Sequence, residues 1–213
     1  MILSGFGVTP KGLKCKMQTQ DNKEVLLLLT DRWADWEAAY AVSGINSVPQ
    51  YTVKTIAADK NPKVSIGGIR AEIDYTIKSY NNFDNTGMLI LTGGFAWQES
   101  RHDEIAGFVR TARENNIPVA ALCGATIFLG KHGFLDNIKH TGDDLEFFTN
   151  QQGYNGQDNH IPAQVVADCG FITANETAAV DFAQTVFKLL KIYSNEEIDL
   201  WHDVFKNGAV STN

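Results

Sequence analysis

The sequence predicts an α/β fold built on a mostly parallel sheet that is covered on both faces. Three observations predict it. Short aliphatic runs such as "VLLLL" and "MLIL" are continuously apolar rather than alternating, as strands buried on both sides must be. Amphipathic stretches at helical spacing separate these runs. The runs also end in small or turn-forming residues, "TD", "TGG" and "CG", which stop a strand and return the chain.

The elements follow in order. Residues 25–29 form a buried strand between Lys23-Glu24 and Thr30-Asp31. Residues 35–46 read as a helix capped by Asp35, with Trp36, Ala39, Tyr40 and Ser43 on one face. Residues 51–57, "YTVKTIA", are β-branched and alternating, hence a second strand. Gly67-Gly68 between two alternating stretches marks a hairpin over 64–77. Residues 86–94 are a buried strand ending in a double glycine, and 103–116 an amphipathic helix with acidic residues at its start. "IPVAALC" (117–123) is the next buried strand, and 125–133 a helix stopped by Gly133. Two short strands turn at Cys169-Gly170, and helices follow over 176–193 and 195–208.

The 213 residues suit one large domain, and 44% hydrophobic content supplies a core for it. We read residues 1–23 as a loose leader, with Met17 an alternative start, and 24–208 as a single domain. A net charge of −7 with no basic stripe argues against nucleic acid or anionic membrane as partner. The longest apolar run is far too short to span a bilayer, and the N-terminus lacks the features of a signal peptide. Three cysteines without paired spacing fit a reducing, cytoplasmic setting. No metal-ligand, Walker or dinucleotide motif is present, so no metal or cofactor is expected.

In a doubly wound sheet, ligands bind beyond the carboxyl ends of the strands. Three segments meet there: Thr30-Asp31 with Glu37, Gly93-Gly94, and Cys123-Gly124. Cys123 stands between a buried strand and a helix, the setting of a nucleophile elbow. Small neighbours, Ala121, Gly124 and Ala125, leave room for such a turn. The helix N-terminus is expected to favour thiolate, making the sulfur nucleophilic and oxidisable. The amides of Gly94 and Gly124 are candidate oxyanion donors. Taken singly, each has a plainer reading: a buried filler cysteine, a turn glycine, an acidic residue in a first helical turn.

Together, "LILTGG", "AALCGATIFLGKHGFLDN" and "FITANETAAVDFA" resemble the ThiJ/PfpI superfamily over roughly residues 24–193. The resemblance implies a flavodoxin-like three-layer sandwich of the class I glutamine amidotransferase-like type, a homodimer, and a glutamate whose carboxyl meets the elbow cysteine. That position is Glu37, a carboxyl expected to be protonated by burial and to donate to the sulfur. The protease-like branch has histidine directly after the cysteine, where this chain has Gly124, so peptidase chemistry lacks its base. Other branches place a histidine about twenty residues on. Here His140 stands 17 after Cys123 and Asp143 stands 20 after it, with Asp143 or Asp144 expected to cap the short helix "DLEFF". Trp33, Trp36, Phe95 and Trp97 either wall a pocket or form a dimer interface.

The implied function is a cysteine-dependent amidase or hydrolase-like enzyme, or one that processes reactive carbonyls, acting on a small molecule. Cys123, Glu37 and His140 are its candidate catalytic residues. The rivals are a redox-responsive stress protein with little turnover and a small-ligand-binding domain.

Overall fold

The computed structural model describes residues 22–208; residues 1–21 of the leader, with Cys15 and Met17, lie outside them, and its last residue, Lys23, begins the first strand. The elements are β1 (Lys23–Leu28), α1 (Ala39–Asn46), β2 (Tyr51–Ala57), β3 (Lys63–Val64), β4 (Arg70–Ala71), β5 (Tyr75–Thr76), β6 (Thr86–Leu91), α2 (Glu104–Glu114), β7 (Val119–Leu122), α3 (Gly124–Lys131), α4 (Leu145–Thr149), β8 (Val165–Asp168), β9 (Phe171–Ala174), α5 (Ala179–Leu190) and α6 (Asn195–Asn207).

Seven strands form one sheet in the order β5-β2-β1-β6-β7-β9-β8. All neighbours are parallel except β8, which returns antiparallel against β9 at the edge. The sheet explains the unbroken apolar runs. Along β1 and just beyond it, Val25, Leu27 and Leu29 enter one core while Leu26 and Leu28 enter the other. β7 divides likewise, Ala120 and Leu122 against Val119 and Ala121. The first core holds buried residues of α1, α5 and α6, the second those of α2, α3 and α4, which gives three layers. This is the flavodoxin-like architecture that the resemblance implies.

From β1 the chain runs to one edge through β2, and β6 then returns to the other side of β1. The switch point therefore lies between β1 and β6, and the segments leaving β1, β6 and β7 share one end of the sheet.

Two local expectations change. The first helix begins at Ala39, not Asp35. Asp35 instead accepts a 2.8 Å hydrogen bond from Ser65 Oγ near the β3–β4 hairpin. Glu37 consequently sits in the turn before the helix rather than in its first turn. The helix predicted over 176–193 is shorter, because Asn175 Oδ1 accepts from the Thr177 amide and hydroxyl and holds that segment in a turn.

Candidate active site

Cys123 is the joint between β7 and α3. Its backbone stands at φ 47° and ψ −127°, a region that non-glycine residues rarely occupy. Such a conformation costs about 1–3 kcal/mol and persists only when its surroundings hold it. Here they do. The Cys123 amide donates to the Ala174 carbonyl of β9 at 3.0 Å. Its carbonyl accepts from both the amide and the hydroxyl of Thr126, at 2.8 and 2.6 Å. The elbow read from the sequence is thus a formed feature, and the thiol is half-buried.

Glu37 reaches this thiol from the β1 side. The residue is fully buried, and its Oε2 accepts from the Gly93 amide at 2.7 Å. Oε1 is buried without a close hydrogen bond, and the carboxyl interacts with the Cys123 thiol. Gly93 is what permits the approach. A Cβ there would lie 2.4 Å from Glu37 Oε2 and 2.7 Å from both Glu37 Oε1 and Cys123 Cβ. The next residue, Gly94, has φ 135° and passes so close to the segment after β1 that a Cβ would stand 2.5 Å from the Arg32 carbonyl oxygen. The double glycine is therefore the point where three strand ends converge, beyond its role as a turn.

The electrostatics reverse one expectation. Burial lifts the Glu37 carboxyl to about 7, against the hydrogen bond from Gly93 and the thiol, which favour its charge. The Cys123 thiol is pushed up as well, first by burial, then by the charges of Glu37 and Asp143. The Gly124 amide, at the N-terminus of α3, hydrogen-bonds the sulfur and opposes that rise without overcoming it. Burial and the repulsion between the two negative forms thus disfavour ionising the thiol and the carboxyl together. The lowering of the thiol expected from the helix N-terminus is opposed by burial and by the two neighbouring carboxyls.

His140 is not brought to the thiol. It is fully buried, with Nδ1 2.8 Å from the Ile138 carbonyl oxygen and Nε2 2.8 Å from the Tyr154 hydroxyl. Burial also depresses its basicity. The position twenty after the cysteine is the one that counts. Asp144 caps α4, accepting from the Glu146 amide, whereas the Asp143 carboxyl turns to the Cys123 thiol. Asp143 also accepts from the Glu176 amide at 3.2 Å, and burial together with the Glu176 carboxyl raises it above the usual carboxylate range.

Comparison with known proteins places the chain in a family. The family model described as the DJ-1/PfpI family matches residues 23–189. A protein of Bacillus subtilis strain 168 named "Uncharacterized protease YdeA" is 35% identical over 179 residues, covering 83% of this chain and 88% of that protein. The chain belongs to the DJ-1/PfpI family. Among solved structures similar to this DJ-1/PfpI chain, the thiJ/pfpI family protein from Bacillus anthracis has a TM-score of 0.83 at 28% identity. It covers 88% of this chain and 92% of its own. The DJ-1 superfamily protein Atu0886 from Agrobacterium tumefaciens has a TM-score of 0.80 at 25% identity, covering 87% and 98%.

The aromatic residues flanking the DJ-1/PfpI elbow divide between core and surface. Trp97 is buried, donates from Nε1 to the Thr92 carbonyl at 2.7 Å, and packs with its ring tilted against Phe128 of α3 at 4.8 Å. Trp33 is buried too, while Trp36 and Phe95 are exposed, with the Arg32 guanidinium over the Phe95 ring. Among the described residues no helix is long and apolar enough to cross a membrane, and no group of three or more His, Cys, Asp or Glu is arranged to hold a metal ion.

Proposed function

We propose that this chain is an enzyme of cysteine-dependent carbonyl chemistry, in which Cys123 adds to an electrophilic carbonyl carbon and Glu37 manages the proton. The observation that carries the reading is the buried contact of Glu37 with the elbow thiol across Gly93. A carboxyl lifted to about 7 is matched to proton transfer at neutral pH. In its ionised form Glu37 takes the thiol proton as the C–S bond forms and the carbonyl π pair moves onto oxygen. Protonated Glu37 then returns that proton to the adduct. The amides of Gly94 and Gly124 are the proposed donors to the developing oxyanion, Gly124 already directing its N–H at the sulfur.

The "protease" of the relatives' names is not the activity this site favours. Amide hydrolysis needs an acid for the departing amine. Gly124 stands where an imidazole would serve, and His140 has both ring nitrogens engaged elsewhere. Addition to an aldehyde or α-dicarbonyl requires no amine to leave. Reactive-carbonyl processing is thus favoured over amidase or hydrolase action. A redox-sensing role requires a thiolate at rest, against which burial and both carboxyls work. The proposal keeps a cytoplasmic setting and a homodimer.

Wild type, Cys123→Ala and Glu37→Gln are to be assayed on a panel of dicarbonyls, aldehydes and amides. The reading predicts turnover of a carbonyl substrate that Cys123→Ala abolishes and Glu37→Gln lowers by about 10²-fold or more. Equal turnover in wild type and Cys123→Ala would end it.

A further inference from the structure

Beside the elbow lies an open cleft of about 690 Å³, lined by residues 141–145 on one side and by His160, Gln164 and Asn175 on the other. Asp143 belongs to both places: it lines the cleft, and its carboxyl interacts with the thiol. The loop carrying it is fixed against the elbow helix, since a Cβ on Gly142 would stand 2.4 Å from Thr126 Oγ1. The cleft thus adjoins Cys123 through Asp143, and its charge is one-sided. Asp143 and Asp144 are on its wall, Glu176 abuts Asp143, and none of the described lining residues is lysine or arginine. His160 is held neutral by burial and by His140. Behind the sulfur, buried Glu37 keeps Oε1 without a close hydrogen bond, facing the same thiol.

We infer that this site selects its electrophile by charge: it admits neutral or cationic carbonyl compounds and rejects carboxylates and phosphates, with Asp143, backed by Glu176, as the determining residue. An anionic reactant approaching the sulfur meets carboxylates on the cleft side and at the back, with no cation in the cleft to offset them. In a partly desolvated site a single like-charge contact is enough to slow approach about tenfold. The inference rests on Cys123 as the reacting atom but not on any particular turnover.

The probes are iodoacetamide, which is neutral, and iodoacetate, which is anionic. Alkylation of Cys123 is followed by mass spectrometry, which separates it from Cys15 and Cys169, and the ratio of the two rates is referred to that of free cysteine. At about pH 8 Asp143 is ionised, and Glu37 and Glu176 face it. There the wild-type ratio is expected to exceed that of free cysteine by about tenfold or more. Asp143→Asn keeps an acceptor for the Glu176 amide, and it should lower the excess at least threefold; Glu176→Gln should lower it less. Melting curves confirm that both variants are folded. A wild-type ratio within twofold of free cysteine, or an excess that folded Asp143→Asn leaves intact, overturns the inference. Charge-selective alkylation with no turnover of any carbonyl would uphold the selection and remove the enzymatic reading. Turnover with unselective alkylation would do the reverse.

Discussion

At Gly93 the site's geometry comes down to the absence of one methyl group. Gly93→Ala would place a carbon within 2.7 Å of the Glu37 carboxyl and the Cys123 Cβ together. Both partners are held, Glu37 by full burial and Cys123 by the hydrogen bonds that pin its elbow. Neither yields cheaply, so we expect about 1–3 kcal/mol of destabilisation by denaturant melts, with a loss of Cys123-dependent turnover larger than that figure alone explains. Cys123 and Gly124 were legible in the sequence because they stand where a buried strand gives way to a helix, whereas Glu37 was singled out by the family resemblance. His140 was misjudged because offset along the chain does not report direction: its imidazole points into a buried cluster with Tyr154 and Phe148. Asp143 stood at the right offset but was read with Asp144 as one capping pair. Two adjacent carboxylates before a helix need only one to cap it, and that spare acid was the available signal. The upward shift of both groups was not legible, since it depends on how deeply Glu37 and Cys123 are buried.

For the elements, the strands were the most readable part, because a strand buried on both faces cannot hide its composition. The second arm of the hairpin read over 64–77 is divided: β4 pairs antiparallel with β3, whereas β5 joins the main sheet parallel to β2. Helix starts were less secure, as α1 shows. α5 carries the largest share of the first core: Phe182 and Phe187 are both fully buried, and Phe187 packs edge-on against Trp201 of α6 at 5.0 Å. Phe187→Ala should therefore cost about 3–5 kcal/mol in chemical denaturation. The Cys123 side chain packs against this core, but its elbow between β7 and α3 is pinned by backbone hydrogen bonds to β9 and Thr126. The folded fraction should accordingly alkylate at Cys123 at the wild-type rate, which a labelling experiment below the unfolding transition can check.

Across the whole molecule, the acidic site gives stability a pH dependence of definite sign. The folded chain holds Glu37 at about 7, whereas an unperturbed glutamate titrates at 4.5. Between those values the unfolded chain releases a proton that the fold retains. Stability is therefore fullest below about 4.5 and falls as pH rises through 7, by about 3 kcal/mol from this residue. Asp143 acts in the same direction. Glu37→Gln retains an acceptor for the Gly93 amide and cannot ionise. Melting temperatures over a pH series should show a flatter alkaline decline for Glu37→Gln than for wild type. A parallel decline in both proteins would remove Glu37 as its source.

The central claim is that Glu37 and Cys123 form one coupled acid–base unit. The rate of Cys123 alkylation by iodoacetamide against pH, in wild type and Glu37→Gln, tests it most directly. The wild-type midpoint is expected above the free-thiol value of about 8.5 and should move down when the carboxylate facing the sulfur is replaced by an amide. A wild-type midpoint at or below that value, or one that Glu37→Gln leaves in place, would contradict it.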